Sequence, residues 1–253
     1  MRAVLLSASL LLLIASPYLP GGYDPLALPL STLAQIFGGV GLLAVVTSVP
    51  LLLWPRNRFW RAAQAAALAV TALAVSAAAV AESGPLLGLG ALALWTAVLA
   101  RRPSPVYFVV LPLVALAGQA VLSRPLTAYA RDTAVAHAAE MIAAVERSHD
   151  DQGVYPDALD AVWPDYHPGV RGVARYSYAK GGDSYNLAFE LPRFFFDAFG
   201  TREFVVYNPA DRHLMPSHAS WVLLWPDARI RNQQGWYASR DAGPPHWRSF
   251  LFD

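Results

Sequence analysis

The chain contains no cysteine. That excludes disulfides, thiolate metal sites and cysteine nucleophiles together. It does not fix the compartment, because an extracytoplasmic domain can fold without disulfides. Lysine occurs once, at Lys180. Charge as a whole is scarce. Asp, Glu, Lys and Arg make up 15% of the 253 residues and hydrophobic residues 55%, whereas soluble proteins carry about a quarter charged residues. A net charge of +1 provides no basic field for nucleic acid, so no such partner is expected.

Sequence signatures of chemistry are missing too. Zinc needs three or four ligands converging at about 2.0–2.3 Å. The six histidines (137, 149, 167, 213, 218 and 246) form no H-x-x-x-H or H-E-x-x-H pattern, and they read as surface residues. Asp150, Asp151 and Asp157 offer oxygen ligands for calcium, but an Asp pair at a helix end is commonly a solvated turn. Ser217, His218 and Ser220 lie outside any G-x-S-x-G elbow. No catalytic residue, cofactor or metal is expected.

What charge there is lies unevenly. Six of the 19 basic and two of the 18 acidic residues precede position 124, leaving 13 and 16 beyond it. The chain thus divides into a membrane part, 1–123, and a polar part, 124–253, long enough for its own core. Apolar runs predict five transmembrane helices, at 3–18, 31–54, 62–81, 85–100 and 106–123. The first has two readings, a cleaved signal core or a helix ending at Tyr18; the helix is preferred, since no clear A-x-A site follows. Residues 18–30 read as a Pro- and Gly-rich loop, with Ser31 able to cap the second helix. The Ala- and Val-rich third helix should be central, because small side chains permit close approach.

Arg2, then Arg56, Arg58 and Arg61, then Arg101 and Arg102 fall on one side of this arrangement. The opposite loops hold Asp24 and Glu82 and no basic residue. The positive-inside rule therefore puts the N-terminus in the cytoplasm and 124–253 outside the inner or plasma membrane. No Asp, Glu, Lys, Arg or His lies within a predicted span, unlike most ion and proton carriers. Gln64, Gln119, Thr47, Thr71, Ser76 and Thr96 read as helix–helix hydrogen-bonding groups. Gly38–Gly41 and Gly88–Gly90 read as close-packing points rather than phosphate loops, since they sit in apolar helices.

In the polar part, Ala134, Ala138, Met141, Ile142 and Val145 recur at helical spacing. Pro125 fits the first turn of this helix or a kink in one continuing from the membrane. Gly153 can take the left-handed conformation that ends it. Tyr155-Pro156 opens a short helix at 157–162. The pattern then alternates. Strands are predicted at 173–178, 184–191, 203–207 and 220–224, with weaker ones at 229–231, 235–239 and 249–252, and a turn at Gly181-Gly182-Asp183. The fold class expected is a membrane all-α bundle followed by an α+β domain, a long helix packed on an antiparallel sheet.

The helix, then Asp-Asp-Gln-Gly-Val-Tyr-Pro and Ala-Leu-Asp-Ala-Val, resembles the globular region of type IV pilin-like proteins, closest to the major pseudopilins of type II secretion. The matching residues are Gly153, Tyr155, Pro156 and Leu159, and the resemblance covers about 106–190. It implies a long helix, a Gly-x-Tyr-Pro turn and a small antiparallel sheet. The departures bear on function. Arg101-Arg102-Pro103-Ser104-Pro105-Val106 has neither the leader Gly nor the Glu of a processed pilin, and four apolar runs precede it. A fixed external domain is expected instead of a fibre subunit.

Phe194, Phe195, Phe196 and Phe199, with Trp221, Trp225, Trp236 and Trp247, are the most unusual feature. They read as core packing or as an exposed patch for a protein partner in the envelope or for membrane lipid. Two functions follow: a non-catalytic external domain for binding, scaffolding or sensing, or a membrane enzyme or permease with its site between the bundle and that domain.

Overall fold

A computed structural model describes residues 1–101, 103–163, 166–198, 201–213 and 238–252. The strands expected at 220–224 and 229–231, most of that at 235–239, and Phe199, Ser217, His218, Ser220, Trp221, Trp225 and Trp236 lie outside the described residues. The chain forms two compact units. One comprises 1–16 and 25–125, the other 17–24 and 126–253.

The first unit is helical. Its elements are α1 (Arg2–Ala15), α2 (Ala27–Val40), α3 (Leu42–Leu53), α4 (Arg58–Ser83), α5 (Pro85–Ala100) and the first part of α6 (Pro105–Gln152). Two of them, α4 and α6, are long and apolar enough to cross a membrane. A third candidate arises if α2 and α3, bent by 49° about Gly41, count as one span. The other two expected spans appear as α1 and α5, apolar but only 14 and 16 residues long.

Ser31 does not cap α2, which begins four residues earlier. The expected loop contains Pro29, but a proline in the first turn removes an N–H that has no helical partner anyway. Ser31 is buried inside the helix, where its hydroxyl donates to the Ile14 carbonyl at 2.7 Å. The α4 start is capped by Asn57, whose side chain accepts from the Phe59 and Trp60 amides.

Helix α4 packs against α2, α3 and α5, the central place its composition predicts. Its buried positions Leu68, Ala72, Val75 and Ala79 recur every three or four residues. Gln64 donates to Ser48, and Gln119 to the Gln35 carbonyl, so these amides do bridge helices. Thr47, Thr71 and Thr96 instead bond carbonyls of their own helices. Gly38 lies where a Cβ would come within 2.9 Å of Ala115 Cβ, consistent with close packing.

In the second unit α6 continues from its first part without a break. Pro125 lies inside a single 48-residue helix instead of starting a new one. Ala130, Ala134, Ala138, Met141 and Val145 form its buried stripe. Gly153, with φ +72°, ends it, and its amide donates to the His149 carbonyl. One 3-10 turn, Leu159–Ala161, stands where a short helix is predicted.

The sheet contains β1 (Ser177–Gly181), β2 (Ser184–Leu191), β3 (Arg202–Tyr207), β4 (Ser239–Asp241) and β5 (Trp247–Phe252). Its order is β1-β2-β3-β5-β4, all neighbours antiparallel. Gly182 (φ +62°) and Asp183 alone join β1 to β2, a two-residue hairpin with glycine where positive φ is needed. Tyr185, Leu187, Phe189 and Leu191 alternate along β2 and are all buried.

The strand predicted at 173–178 starts four residues late. Of its leading residues, Val173 donates its amide to the Val170 carbonyl and Tyr176 its hydroxyl to the Ala134 carbonyl. The segment 169–172 takes up residues 17–24 through four main-chain bonds: Gly172 to Pro17, Arg171 to Leu19, Gly21 to Gly169 and Asp24 to Arg171. Pro20 and Val170 form an antiparallel bridge. The expected loop between the first two apolar runs is thus a strap built into the sheet-containing unit.

Candidate functional site

Three groups in the second unit merit comparison. The first is the aromatic segment. Phe194 follows β2 and is 1% exposed, so it belongs to the core and not to an exposed patch. Its ring stacks on Tyr18 of the strap, centroids 4.6 Å apart. Phe195 and Phe196 start a single helical turn, α7 (Phe195–Ala198). Phe195 is half-buried, while Phe196 is 40% exposed and meets Phe195 edge to face. Arg193 holds this turn in place. Its guanidinium bonds Thr201 Oγ1 at 2.5 Å, the Asp197 carbonyl, and the Glu203 carboxylate at 3.3 Å.

The second group surrounds Glu146, on the α6 face that meets the sheet. Tyr185 donates to Glu146 Oε1 at 2.9 Å and Tyr155 to Oε2 at 3.4 Å. Tyr155 also stacks on His149, at 4.1 Å. Tyr178 and Tyr207 flank Tyr185. Burial, reinforced by the Glu146 carboxylate, raises the Tyr155, Tyr178 and Tyr185 hydroxyls above their ordinary value. Burial also raises Tyr176, which donates to the Ala134 carbonyl, and pushes Tyr166 up to about 12. Pro156, of the Gly-x-Tyr-Pro turn, receives the Tyr178 hydroxyl at 2.8 Å. Gly153, Tyr155 and Pro156 thus serve to dock the helix end on the sheet.

The third group is an open cleft of about 570 Å³ lined by Asp211, His213, Asp241, His246 and Arg248 among others. Asp211 (φ +54°) and His246 (φ +68°) both adopt left-handed backbone conformations, which are uncommon outside glycine. They contact each other, His246 Nδ1 to Asp211 Oδ1, at 3.1 Å. The turn at His246 aims its carbonyl at two donors, the Asn208 amide and His213 Nε2. Burial pushes His213 below the ordinary imidazole value, against the opposing effect of that carbonyl. A carbonyl only accepts, so the His213 proton in this contact is on Nε2.

Sequence reasoning did not find this pairing. Asp211 and His246 are 35 positions apart, and only the turn formers Asn208-Pro209 and Gly243-Pro244-Pro245 mark the two loops. Among the described residues, no three His, Asp or Glu side chains are grouped to hold a metal ion. The geometry is that of a polar, hydrogen-bonded loop closure. A search of protein-family models, curated proteins and solved structures finds no match to this chain.

Proposed function

We propose that the protein is a polytopic membrane protein that displays a fixed, non-catalytic, pilin-like domain outside the cell membrane for binding, scaffolding or sensing. In this reading α1, the bent α2–α3 pair, α4, α5 and the first part of α6 are the five spans, with the arginine-bearing turns in the cytoplasm. The shorter α1 and α5 span by local thinning of the bilayer.

The observation that carries the fixed-display reading is the strap. Residues 17–24 belong to the sheet-containing unit, yet both ends run on into α1 and α2. The domain is therefore joined to the helical unit at three points in the chain: after Ser16, after Asp24 and after Pro125. A pilin subunit, by contrast, hangs from one helix. The pilin-like part of the reading is supported by the order of elements alone: a long helix, the Gly153-x-Tyr155-Pro156 turn, then an antiparallel sheet.

The test is site-directed photo-crosslinking in the native membrane from Ser177, which is exposed on the edge strand β1. One discrete protein adduct, identified by mass spectrometry and lost when neighbouring exposed residues are changed, is the expected result. A copurifying small molecule that the membrane turns over, with no protein adduct, would point to an enzyme or permease instead.

A further inference from the structure

We infer that β1 takes up an extended segment of a protein partner as a further strand, and that a glutamate of that segment reaches Arg212 across β1. The inference deepens the binding reading above and rests on it for the partner.

Strand β1 ends the sheet and is paired on one side, with β2. Gly181 and Ser184 flank the two-residue turn, so they exchange both main-chain bonds, and bonded and non-bonded pairs alternate from there. Ser177, Ala179 and Gly181 therefore spend their main-chain groups on β2. Tyr178 and Lys180 turn their N–H and C=O groups outward. Among the described residues, no main-chain bond reaches those outward groups. An edge of this kind is a template for another chain. Two common guards are missing from it: β1 contains no proline, and its five consecutive pairs include no bulge. A lysine can guard an edge by its charge, but Asp157 holds Lys180 at 2.8 Å.

A pocket lies beside this edge. Directly opposed residues share a sheet face, so Ala179, Gly181, Ser184 and Asn186 lie on one face. Tyr185, which bonds Glu146 of α6, lies on the other. With Asn208 and Arg212 the four line a pocket of about 50 Å³. Its polar lining is fixed in place. Ser184 and Asn208 are 5% and 3% exposed and bond each other, and Asn208 also accepts the Arg212 amide. Among the described lining residues Arg212 is the one charged group. It gives Asp183 one of the five N–H groups a guanidinium offers.

The pocket and the edge fit one occupant. A strand added to β1 lies about 4.8 Å beyond it, and its residue opposite Ala179 shares the pocket's face. To reach Arg212, that side chain must cross β1. Ala179 and Gly181 leave the crossing open, since one carries a methyl group and the other no side chain. A serine or aspartate is too short for the crossing, whereas a glutamate carboxylate reaches and matches the guanidinium in charge. The main-chain bonds then supply affinity and the pocket supplies specificity.

The test uses the full chain in detergent and a random-peptide display library, from which the best binder is synthesised. Methylating single peptide nitrogens should weaken binding at every second position only, by about tenfold each, because alternate amides face β1. Changing the peptide's glutamate to glutamine should weaken it about threefold, as for a half-exposed ion pair. Arg212→Gln in the protein should abolish that difference. Lys180→Pro removes one outward N–H, keeps the ladder to β2, and should weaken binding about tenfold. The methylation scan on the unaltered protein stands in if this variant fails to fold. No binder, a scan without the two-residue period, or an acidic preference that survives Arg212→Gln overturns the inference. The underlying reading fails separately. The period in the scan with no protein captured from Ser177 in native membranes overturns the display function and leaves the edge assignment standing. A captured protein with no period in the scan overturns the edge assignment alone.

Discussion

The Tyr18 ring lies on the Phe194 ring at a centroid distance of 4.6 Å and an interplanar angle of 15°. One ring belongs to the strap and the other to the segment after β2, so this stack closes the second unit. Both rings are fully buried. The Tyr18 hydroxyl, however, has no hydrogen-bond partner among the described residues. Tyr18→Ala should cost about 3 kcal/mol, as removal of a buried aromatic ring usually does. Tyr18→Phe should be neutral or stabilising by up to about 1 kcal/mol, because it removes an unsatisfied polar group. Thermal unfolding of the detergent-solubilised chain separates the two. Equal losses for both variants would mean that the hydroxyl is bonded.

The strap makes a second prediction. A Cβ on Gly172 would lie 2.6 Å from the Pro17 carbonyl oxygen, which accepts the Gly172 amide. Gly172→Ala should force the two segments apart, at a cost of about 1–3 kcal/mol. Limited proteolysis should then cut within 17–24 faster than in the native protein, where four main-chain bonds hold this segment. An unchanged digestion pattern would show that the strap is loosely held.

Glu146 links α6 to the sheet through two tyrosines. Glu146→Gln keeps an acceptor for Tyr185 and should lose little stability. Glu146→Leu leaves the buried Tyr185 hydroxyl unbonded and should cost about 1–3 kcal/mol. The contrast between the two variants in a denaturant titration is the measurement. Equal effects would mean that the tyrosine contacts contribute nothing.

Two pH dependences follow from burial. His213 has a lowered folded value, so the unfolded chain binds the proton more readily. Its contribution to stability is complete above the unfolded value of about 6.5 and is lost as pH falls from there toward the folded value. His213→Gln should flatten the stability–pH curve over that window. The tyrosines behave oppositely. Tyr166, Tyr176, Tyr178 and Tyr185 are raised, so their stabilisation is complete below about 10, the unfolded phenol value, and falls as pH rises beyond it. Tyrosinate absorbance at alkaline pH should therefore rise together with loss of structure. A smooth tyrosinate titration in the folded state would contradict the burial of these hydroxyls.

Much of the fold could be read from the amino acids wherever a local rule decides the outcome. Strand β2 and helix α5 fall where alternation and apolar length place them, and the Gly153 and Gly182 turns occur where positive φ is required. Departures arise where partners distant in sequence decide. The segment 169–172, just before the strand expected at 173–178, hydrogen-bonds to 17–24, which no periodicity reveals. Phe194 and Phe196 share one apolar run, yet Phe194 is taken by Tyr18 and Phe196 remains exposed. The Asp211–His246 contact joins two loops that only the folded sheet brings together. Proline misled once: Pro29 sits harmlessly in a first helical turn. Pro125 lies within a continuous helix, the second of the two readings its position allows.

Thiol accessibility tests the central claim, an external domain on an inward-facing set of arginine turns, most directly. Ser177 is exposed, whereas nearby Ser184 is buried, so Ser177→Cys is the suitable reporter. Arg56→Cys, in the exposed turn before α4, reports on the opposite side. With an impermeant maleimide on intact cells (spheroplasts where an outer membrane intervenes), Ser177→Cys should label fully and Arg56→Cys only after the membrane is broken. Labelling of Arg56→Cys first, with Ser177→Cys protected until lysis, would contradict the account.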